Sequence, residues 1–536
     1  MVNAILNSVK KGTEEAVDKC AYNVEKCFDA LWTYECINDL FEAGLQNNKL
    51  TLLFKMNQNA QVAVKTSQGM TDRVDIRNVI MQGTVWGSLL CTSTMDKLPQ
   101  EVYANKDFLY KYKGKVDVPP IEMVDDILTI QKCGVAAEEM NHKVNAFIEQ
   151  KKLTLGHKKC VKVHIGKKCF ECSKHFVHEE IMEEAQEVKY LGDILHENGK
   201  PKRTITERVQ RGYAVCGQIF ALLNDLPLGS LKVQIGLELR KAWLINGVLY
   251  NSEVWHNVTE SDIAQFVEID KYLLRGLLSA HAKTPVEHMY LETAAIPIPY
   301  IVTSRRLIYL KQLLDRPEEE ITKRIYRCQK ENTVPGDWCE MIDNDFQKIG
   351  IELSETEIEQ LSVYDYKTII KKNVKNAALK ELMLIQQGHK KVEHNQYTNF
   401  EGPQDYLTSK DITNTQCKIL FALRSHTIRG IKYNFRQMYQ QDLLCPLCER
   451  FGDTQDHVLD CQVLKVIQSK EEHIEYMHIY GNIQQQIEVI QRYEAYISLR
   501  NEILDNTDSD SSLPGQYTGP KLPPARTERT PVRSSV

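Results

Sequence analysis

The sequence predicts an α+β protein: a sheet-bearing first part, then a long all-helical region, then a small module rich in Cys and His. Three observations carry this expectation. Short apolar and β-branched runs at 20–24, 119–131 and 188–195 are bounded by turn residues, which is how strands read. From Thr204 onward the apolar positions recur at helical spacing, in segments 204–226, 229–250, 259–280, 299–315 and 317–332. Near the end, Cys445, Cys448, His457 and Cys461 fall at the spacing of metal ligands.

A chain of 536 residues is long enough for several domains with a substantial core. The net charge of -5 gives no global argument for a nucleic-acid partner, so any basic surface must be local. The 15 cysteines are scattered, residues 1–11 lack the apolar core of a secretory leader, and there is no run of 18 apolar residues. The expectation is an intracellular protein in a reducing compartment, cytoplasm or nucleus, neither secreted nor membrane-bound.

The stretch 119–130, Pro-Pro-Ile-Glu-Met-Val-Asp-Asp-Ile-Leu-Thr-Ile, reads as strand, tight turn, strand, with Asp125 and Asp126 at the tip. Adjacent carboxylates in an apolar setting repel each other, and a divalent cation is the usual remedy. The bland reading is an acidic turn facing water, and on this stretch alone it is the commoner one.

The other elements follow in order. Residues 1–19 show no clear element. A strand at 20–24 precedes a helix over 25–43, which Gly44 ends. Short elements are expected at 50–54, 61–65 and 74–80. Gly83 marks a turn opening a helix, and a further helix runs from about 136 to 152. Lys151, Lys152, Lys158, Lys159, Lys162, Lys167 and Lys168 crowd one segment with His157 and His164. Such a cluster is more often a solvated face than a binding site.

These pieces, in this order, resemble the reverse transcriptase of non-LTR (LINE-type) retrotransposons. The stretch 22–29, Tyr-Asn-Val-Glu-Lys-Cys-Phe-Asp, resembles the family's first acidic motif. Met81-Gln82-Gly83 with Gly87-Ser88-Leu89 resembles its Gln-Gly motif, and Met123-Val124-Asp125-Asp126 its Asp-Asp box. The stretch 153–159 resembles the motif whose Lys, here Lys159, lies near the triphosphate. Lys189-Tyr190-Leu191-Gly192 resembles the primer grip.

The resemblance implies a ferredoxin-like palm, a helical thumb, and RNA-directed DNA polymerisation on an RNA template and DNA primer. Two Mg²⁺ ions would be held by Asp125, Asp126 and the acid of the first motif. Phe28, Gln82, Gly83 and Lys159 would contact nucleotide or template, and Tyr190, Leu191 and Gly192 the primer.

The sequence departs from the pattern at the position of that first acid, which is Asn23. An amide keeps a carbonyl oxygen but loses the charge that Mg²⁺ prefers. Asp29 lies past the strand on the helix and Asp18 lies upstream, so neither obviously substitutes. Only about twenty residues precede the first motif, so the fingers are expected to be largely missing, and there is no room for an N-terminal endonuclease.

Three Cys and one His at 445, 448, 457 and 461 make a closed structural zinc shell, resembling the Cys-Cys-His-Cys knuckle of some LINE-type polyproteins. A tighter cluster, Cys169, Cys172, His175 and His178, reads as a loop insertion more readily than as a finger. The expected organisation is a palm at 1–200, helical thumb or connection at 201–395, linker at 396–409, zinc-knuckle region at 410–504 and a disordered tail at 505–536. Two other readings stand beside the polymerase: a non-catalytic nucleic-acid-binding remnant of a transposable element, which Asn23 favours for activity, and a zinc-knuckle adaptor, for which only the knuckle speaks.

Overall fold

A central sheet organises the first 200 residues. Its strands are β1 (Val17–Asn23), β2 (Ile121–Met123), β3 (Asp126–Lys132), β4 (Val161–Ile165) and β5 (Glu183–Glu184), in the spatial order β5-β4-β1-β3-β2. The structure, a computed structural model, describes residues 1–12, 14–58, 61–75, 80, 84–103, 108–132, 134–167, 174–226, 231–282, 284–388, 401–427, 444–450, 455–467, 474 and 476–508. The expected disorder of the tail concerns residues outside this set from 509 onward, whereas 505–508 continue a helix. Residues 396–400 of the expected linker are also outside it.

β1 pairs antiparallel with both β3 and β4, and β2 forms an antiparallel hairpin with β3. Helices lie in the β1–β2 connection, and the helix Val135–Gln150 joins β3 to β4. The first four strands therefore stand in the order 4-1-3-2 of two interleaved split β-α-β units. β1 sits at the centre and is buried along nearly its whole length, as expected of a strand covered on both faces. On one face Cys20, Tyr22 and Ile127 meet Met140, Val144 and Phe147 of the β3–β4 helix. On the other, Val17, Ala21, Leu128 and Ile130 meet Tyr110, Tyr112, Val116 and Val118.

Two local readings change. Residues 1–19 do contain an element: Val2–Lys10 is helical and buries Ile5, Leu6 and Val9 against the second face. The stretch 25–43 is two helices, Cys27–Ala30 and Thr33–Glu42, separated at Leu31. Leu31 takes extended backbone and is 1% exposed. Burying it bends the chain while the helical spacing of the apolar residues survives on either side.

The remainder of this unit is helical. Its main helices are Lys202–Asp225, Lys232–Leu239, Glu260–Leu278, Ile298–Leu314, Ile321–Glu331, Trp338–Ile349 and Val363–Gln387. A π-helical turn, Arg240–Ile245, continues the second of these. It is anchored by Arg240, whose guanidinium donates to both oxygens of Asp270 at 2.6 and 2.7 Å and to the Ile296 carbonyl at 2.9 Å.

The chain divides into two compact units, 1–390 with 397–404, and 391–396 with 405–536. The second contains helices Asn414–Arg424, Gln455–Asp460, Gln462–Ile467 and Ile483–Asp508. Thr413 and Gln416 form a reciprocal capping box at the first of them, satisfying N-terminal N–H groups. Among the described residues no helix is long and apolar enough to cross a membrane.

Candidate active site and candidate metal centre

The antiparallel register sets Asn23, the last residue of β1, directly opposite Asp126, the first residue of β3. Asn23 Nδ2 donates to Asp126 Oδ1 at 3.4 Å. Asp125 occupies the two-residue turn between β2 and β3 beside Val124, whose φ is +63°. A β-branched residue in the left-handed region costs about 1–2 kcal/mol, so the turn holds backbone strain at the tip that carries both acids. Burial raises the pKa of Asp125 above the usual carboxylate range, and the neighbouring Asp126 charge adds to this. A hydrogen bond to backbone and the Lys159 charge oppose it.

The segment carrying Lys159 docks on the end of β1. Gly156 N–H donates to the Asn23 carbonyl at 2.9 Å, and Glu25 N–H to the Thr154 carbonyl at 2.8 Å. The turn His157–Lys159 follows directly, with Lys159 exposed. Phe28 packs half-buried against the core, and the Ile80 N–H donates to its carbonyl at 2.8 Å. Gln82 and Gly83 lie outside the described residues. The helix that comes next starts at Val85, capped by Thr84, whose side chain accepts from Gly87 N–H.

Tyr190, Leu191 and Gly192 form the end of a hairpin, Glu187–Tyr190 with Asp193–His196. Leu191 and Gly192 both have positive φ, as a two-residue hairpin turn requires. Tyr190 is buried and its hydroxyl donates to the Ile121 carbonyl of β2 at 3.2 Å. Burial and the charges of Asp126 and Glu122 push its pKa up, so it remains a neutral donor.

The other acids considered for the first motif sit elsewhere. Asp18 is five residues back along β1, buried, with its Oδ1 2.8 Å from His164 Nδ1. Asp29 is exposed on the short helix. The lysine cluster is not one face. Lys151 pairs with Asp39 at 3.2 Å and the buried Lys162 with Glu184 at 3.0 Å, while Lys152, Lys158, Lys159 and Lys167 are exposed. Lys168 lies outside the described residues.

Two residues that sequence reasoning did not single out belong to this region. Glu122, on β2, has both carboxylate oxygens buried without a hydrogen-bond partner among the described residues. Burial, with the Asp96 charge, pushes its pKa up to about 9. The signal was an acid at an alternating position of a strand, and the sequence does not say which face is covered. Arg208, from helix Lys202–Asp225, donates to the Gly192 carbonyl at 3.1 Å and to Asp193 Oδ1 at 2.5 Å. It also donates to the Tyr250 carbonyl and lies over the Trp255 ring. It clamps the Leu191–Gly192 turn, and nothing in its sequence neighbourhood announces this.

In the second unit Cys445, Cys448, His457 and Cys461 place their ligand atoms within 4.8 Å of one another. Cys445 and Cys461 Sγ are 4.0 Å apart, and Cys448 Sγ is 3.3 Å from His457 Nε2. Sulfurs bound tetrahedrally at the usual Zn–S length would be about 3.7 Å apart, so the donor set fits zinc in number, type and spacing. Burial, with the charges of Cys445 and Cys448, pushes the Cys461 thiol up to about 11. Crowded thiols of this kind ionise when a cation is bound among them. Tyr496, on helix Ile483–Asp508, directs its hydroxyl at Cys445 Sγ from 3.7 Å. Among the described residues this is the one grouping of three or more His, Cys, Asp or Glu with converging ligand atoms. Of the tighter cluster, His175 is buried and His178 exposed, while Cys169 and Cys172 lie outside the described residues.

Comparison with known families matches residues 20–195 to reverse transcriptase (RNA-dependent DNA polymerase). That match supports the reverse transcriptase family. It begins within β1, spans the Asp125–Asp126 hairpin and ends in the Tyr190 hairpin. No curated protein matches the chain. Among solved structures, the chain is similar to apo telomerase from Candida tropicalis truncated from its C-terminal domain, at 15% identity over 37% of each chain and a TM-score of 0.26. It is also similar to Candida albicans telomerase in complex with a fragment of telomeric RNA, at 10% identity over 52% of this chain and 51% of that one, TM-score 0.28. Apo telomerase from Candida tropicalis gives 12% identity over 61% and 54%, TM-score 0.29. The chain thus spans between 37% and 54% of the length of these telomerases.

Proposed function

We propose that residues 1–200 are the palm of a LINE-type reverse transcriptase, with residues 201–395 as its helical thumb or connection and 410–504 as a zinc-knuckle region. The activity is RNA-directed DNA polymerisation on an RNA template and DNA primer, impaired by Asn23. The observation that carries this reading is the register: the position of the family's first acid stands directly across from Asp126, beside the turn that holds Asp125.

Asp125 and Asp126 would hold Mg²⁺, which would supply positive charge where the primer 3′-hydroxyl is activated and pyrophosphate leaves. The chain's own groups position the partners. Lys159 is exposed and acts electrostatically on Asp125, which suits a contact to triphosphate. Tyr190 and the Arg208-clamped turn brace the hairpin from the primer side. The domain boundaries at 200, 395 and 410, the retrotransposon origin and zinc at the four-ligand centre belong to this proposal.

The runner-up is a non-catalytic nucleic-acid-binding remnant. What favours it is the contact itself: Asn23 donates to Asp126, so the two strand ends are compatible without a cation. The two readings separate in a primer-extension assay with Mg²⁺ on the full-length Asn23→Asp variant. Polymerase ancestry predicts extension by Asn23→Asp that is lost when Asp125→Asn is added. No extension by Asn23→Asp, with template–primer still bound, would leave the remnant reading standing.

A further inference from the structure

The zinc centre has a neighbour that its ligand set does not explain. Helix Ile483–Asp508 packs on helix Gln455–Asp460, which carries His457. On the first of these helices Arg492 is 1% exposed, and none of its three side-chain nitrogens has a hydrogen-bond partner among the described residues. A buried, unpaired guanidinium is among the least favourable groups a fold can hold. One turn along the same face, at the i+4 position, Tyr496 points its hydroxyl at Cys445 Sγ. Two groups act electrostatically on Arg492: the Asp460 carboxylate and, once its thiol is ionised, Cys461. Asp460 is mostly exposed and its Oδ1 lies 3.5 Å from Lys465 Nζ, which leaves Cys461 as the buried one.

Charge arithmetic supplies the missing partner. Three thiolates and a neutral imidazole around a dication leave one net negative charge inside a small, largely buried module. We propose that Arg492 is the counter-charge of the zinc-bound thiolate shell, a positioning residue that ties helix Ile483–Asp508 to the metal centre alongside Tyr496. This rests on the zinc reading above and adds to it a dependence: Arg492 is accommodated when the thiolates are metal-bound and is costly when they are not. Groups outside the ligand set that act in this way typically change metal affinity by about 10- to 100-fold.

The test uses the full-length chain and measures zinc affinity by competition with a chromophoric chelator. Thermal midpoints are taken with and without zinc for wild type, Arg492→Met and Arg492→Lys. Arg492→Met should bind zinc at least about tenfold more weakly, and its zinc-free midpoint should equal or exceed that of wild type. Arg492→Lys, which keeps the charge, should bind more tightly than Arg492→Met. Should Arg492→Met fail to fold, Arg492→Lys against Arg492→Gln carries the same comparison, with Lys the tighter by about tenfold. If wild type takes up no stoichiometric zinc, the zinc reading itself falls, and this inference with it. If wild type binds zinc and Arg492→Met binds as tightly, with both midpoints lowered together, Arg492 is a packing residue. The inference is then overturned while the zinc reading stands.

Discussion

Asn23 and Asp126 face each other across two antiparallel strands, with Asn23 Nδ2 3.4 Å from Asp126 Oδ1. The pair is neutral against anionic and therefore attractive without help. An Asp at position 23 would set two carboxylates against each other next to a third at Asp125, an arrangement that a divalent cation relieves. Asn23→Asp should lower stability in metal-free buffer by about 1 kcal/mol, and Mg²⁺ should raise its thermal midpoint more than that of wild type. Equal Mg²⁺ responses in the two proteins would show that the pair does not govern cation binding.

Glu122 gives a pH prediction. Its folded pKa, about 9, lies above the ordinary 4.5, so the native state binds the proton more tightly than the unfolded chain does. Its contribution to stability is fully present below pH 4.5 and is lost as pH rises toward 9. Glu122→Gln keeps the neutral form at all pH values. In metal-free buffer the variant should melt above wild type at pH 8 to about 9, and the difference should shrink to nothing near pH 4. A difference independent of pH would mean that Glu122 is solvated.

The Leu191–Gly192 turn is expected to be intolerant of change. Gly192 has φ +81°, and a Cβ there would lie 3.3 Å from the Tyr250 ring. Gly192→Ala should cost about 1–2 kcal/mol in denaturant unfolding. Arg208→Ala removes the cation paired with the half-buried Asp193, which keeps the hydrogen bond from Asn251, and should cost more, about 3 kcal/mol. Template–primer affinity in excess of the stability loss would be read from binding at a temperature where both variants are folded.

How far the sequence led is visible at particular residues. β1, the 119–131 hairpin and the Leu191–Gly192 turn were legible because alternation and turn chemistry are local. The N-terminal helix was not, because Val2, Ile5, Leu6 and Val9 make too short an apolar face to stand out beside polar neighbours. The lysine segment read as one face because the acids that pair with Lys151 and Lys162, Asp39 and Glu184, are distant or unremarkable in sequence. Glu122, Arg208 and Arg492 were invisible for a shared reason: burial of a charge is decided by tertiary neighbours, and composition favours the exposed reading. The convergence of Cys445, Cys448, His457 and Cys461 was legible because their spacing is itself the signal.

At those ligands, a chelator should remove one zinc per full-length chain and lower the thermal midpoint, because metal-binding energy in such a module is folding energy. Cys445→Ser combined with His457→Ala should abolish stoichiometric zinc. Full zinc content in that double variant would place the metal elsewhere.

Whether Asn23 in place of an acid disables polymerisation is decided by single-turnover primer extension on RNA with Mg²⁺, wild type beside Asn23→Asp. Loss of one preorganised charged group commonly costs about 100- to 1000-fold. The expected result is a wild-type rate at least about 100-fold below that of Asn23→Asp. A wild-type rate within about tenfold of the variant would show that position 23 needs no charge for the reaction and that Asn23 does not impair it.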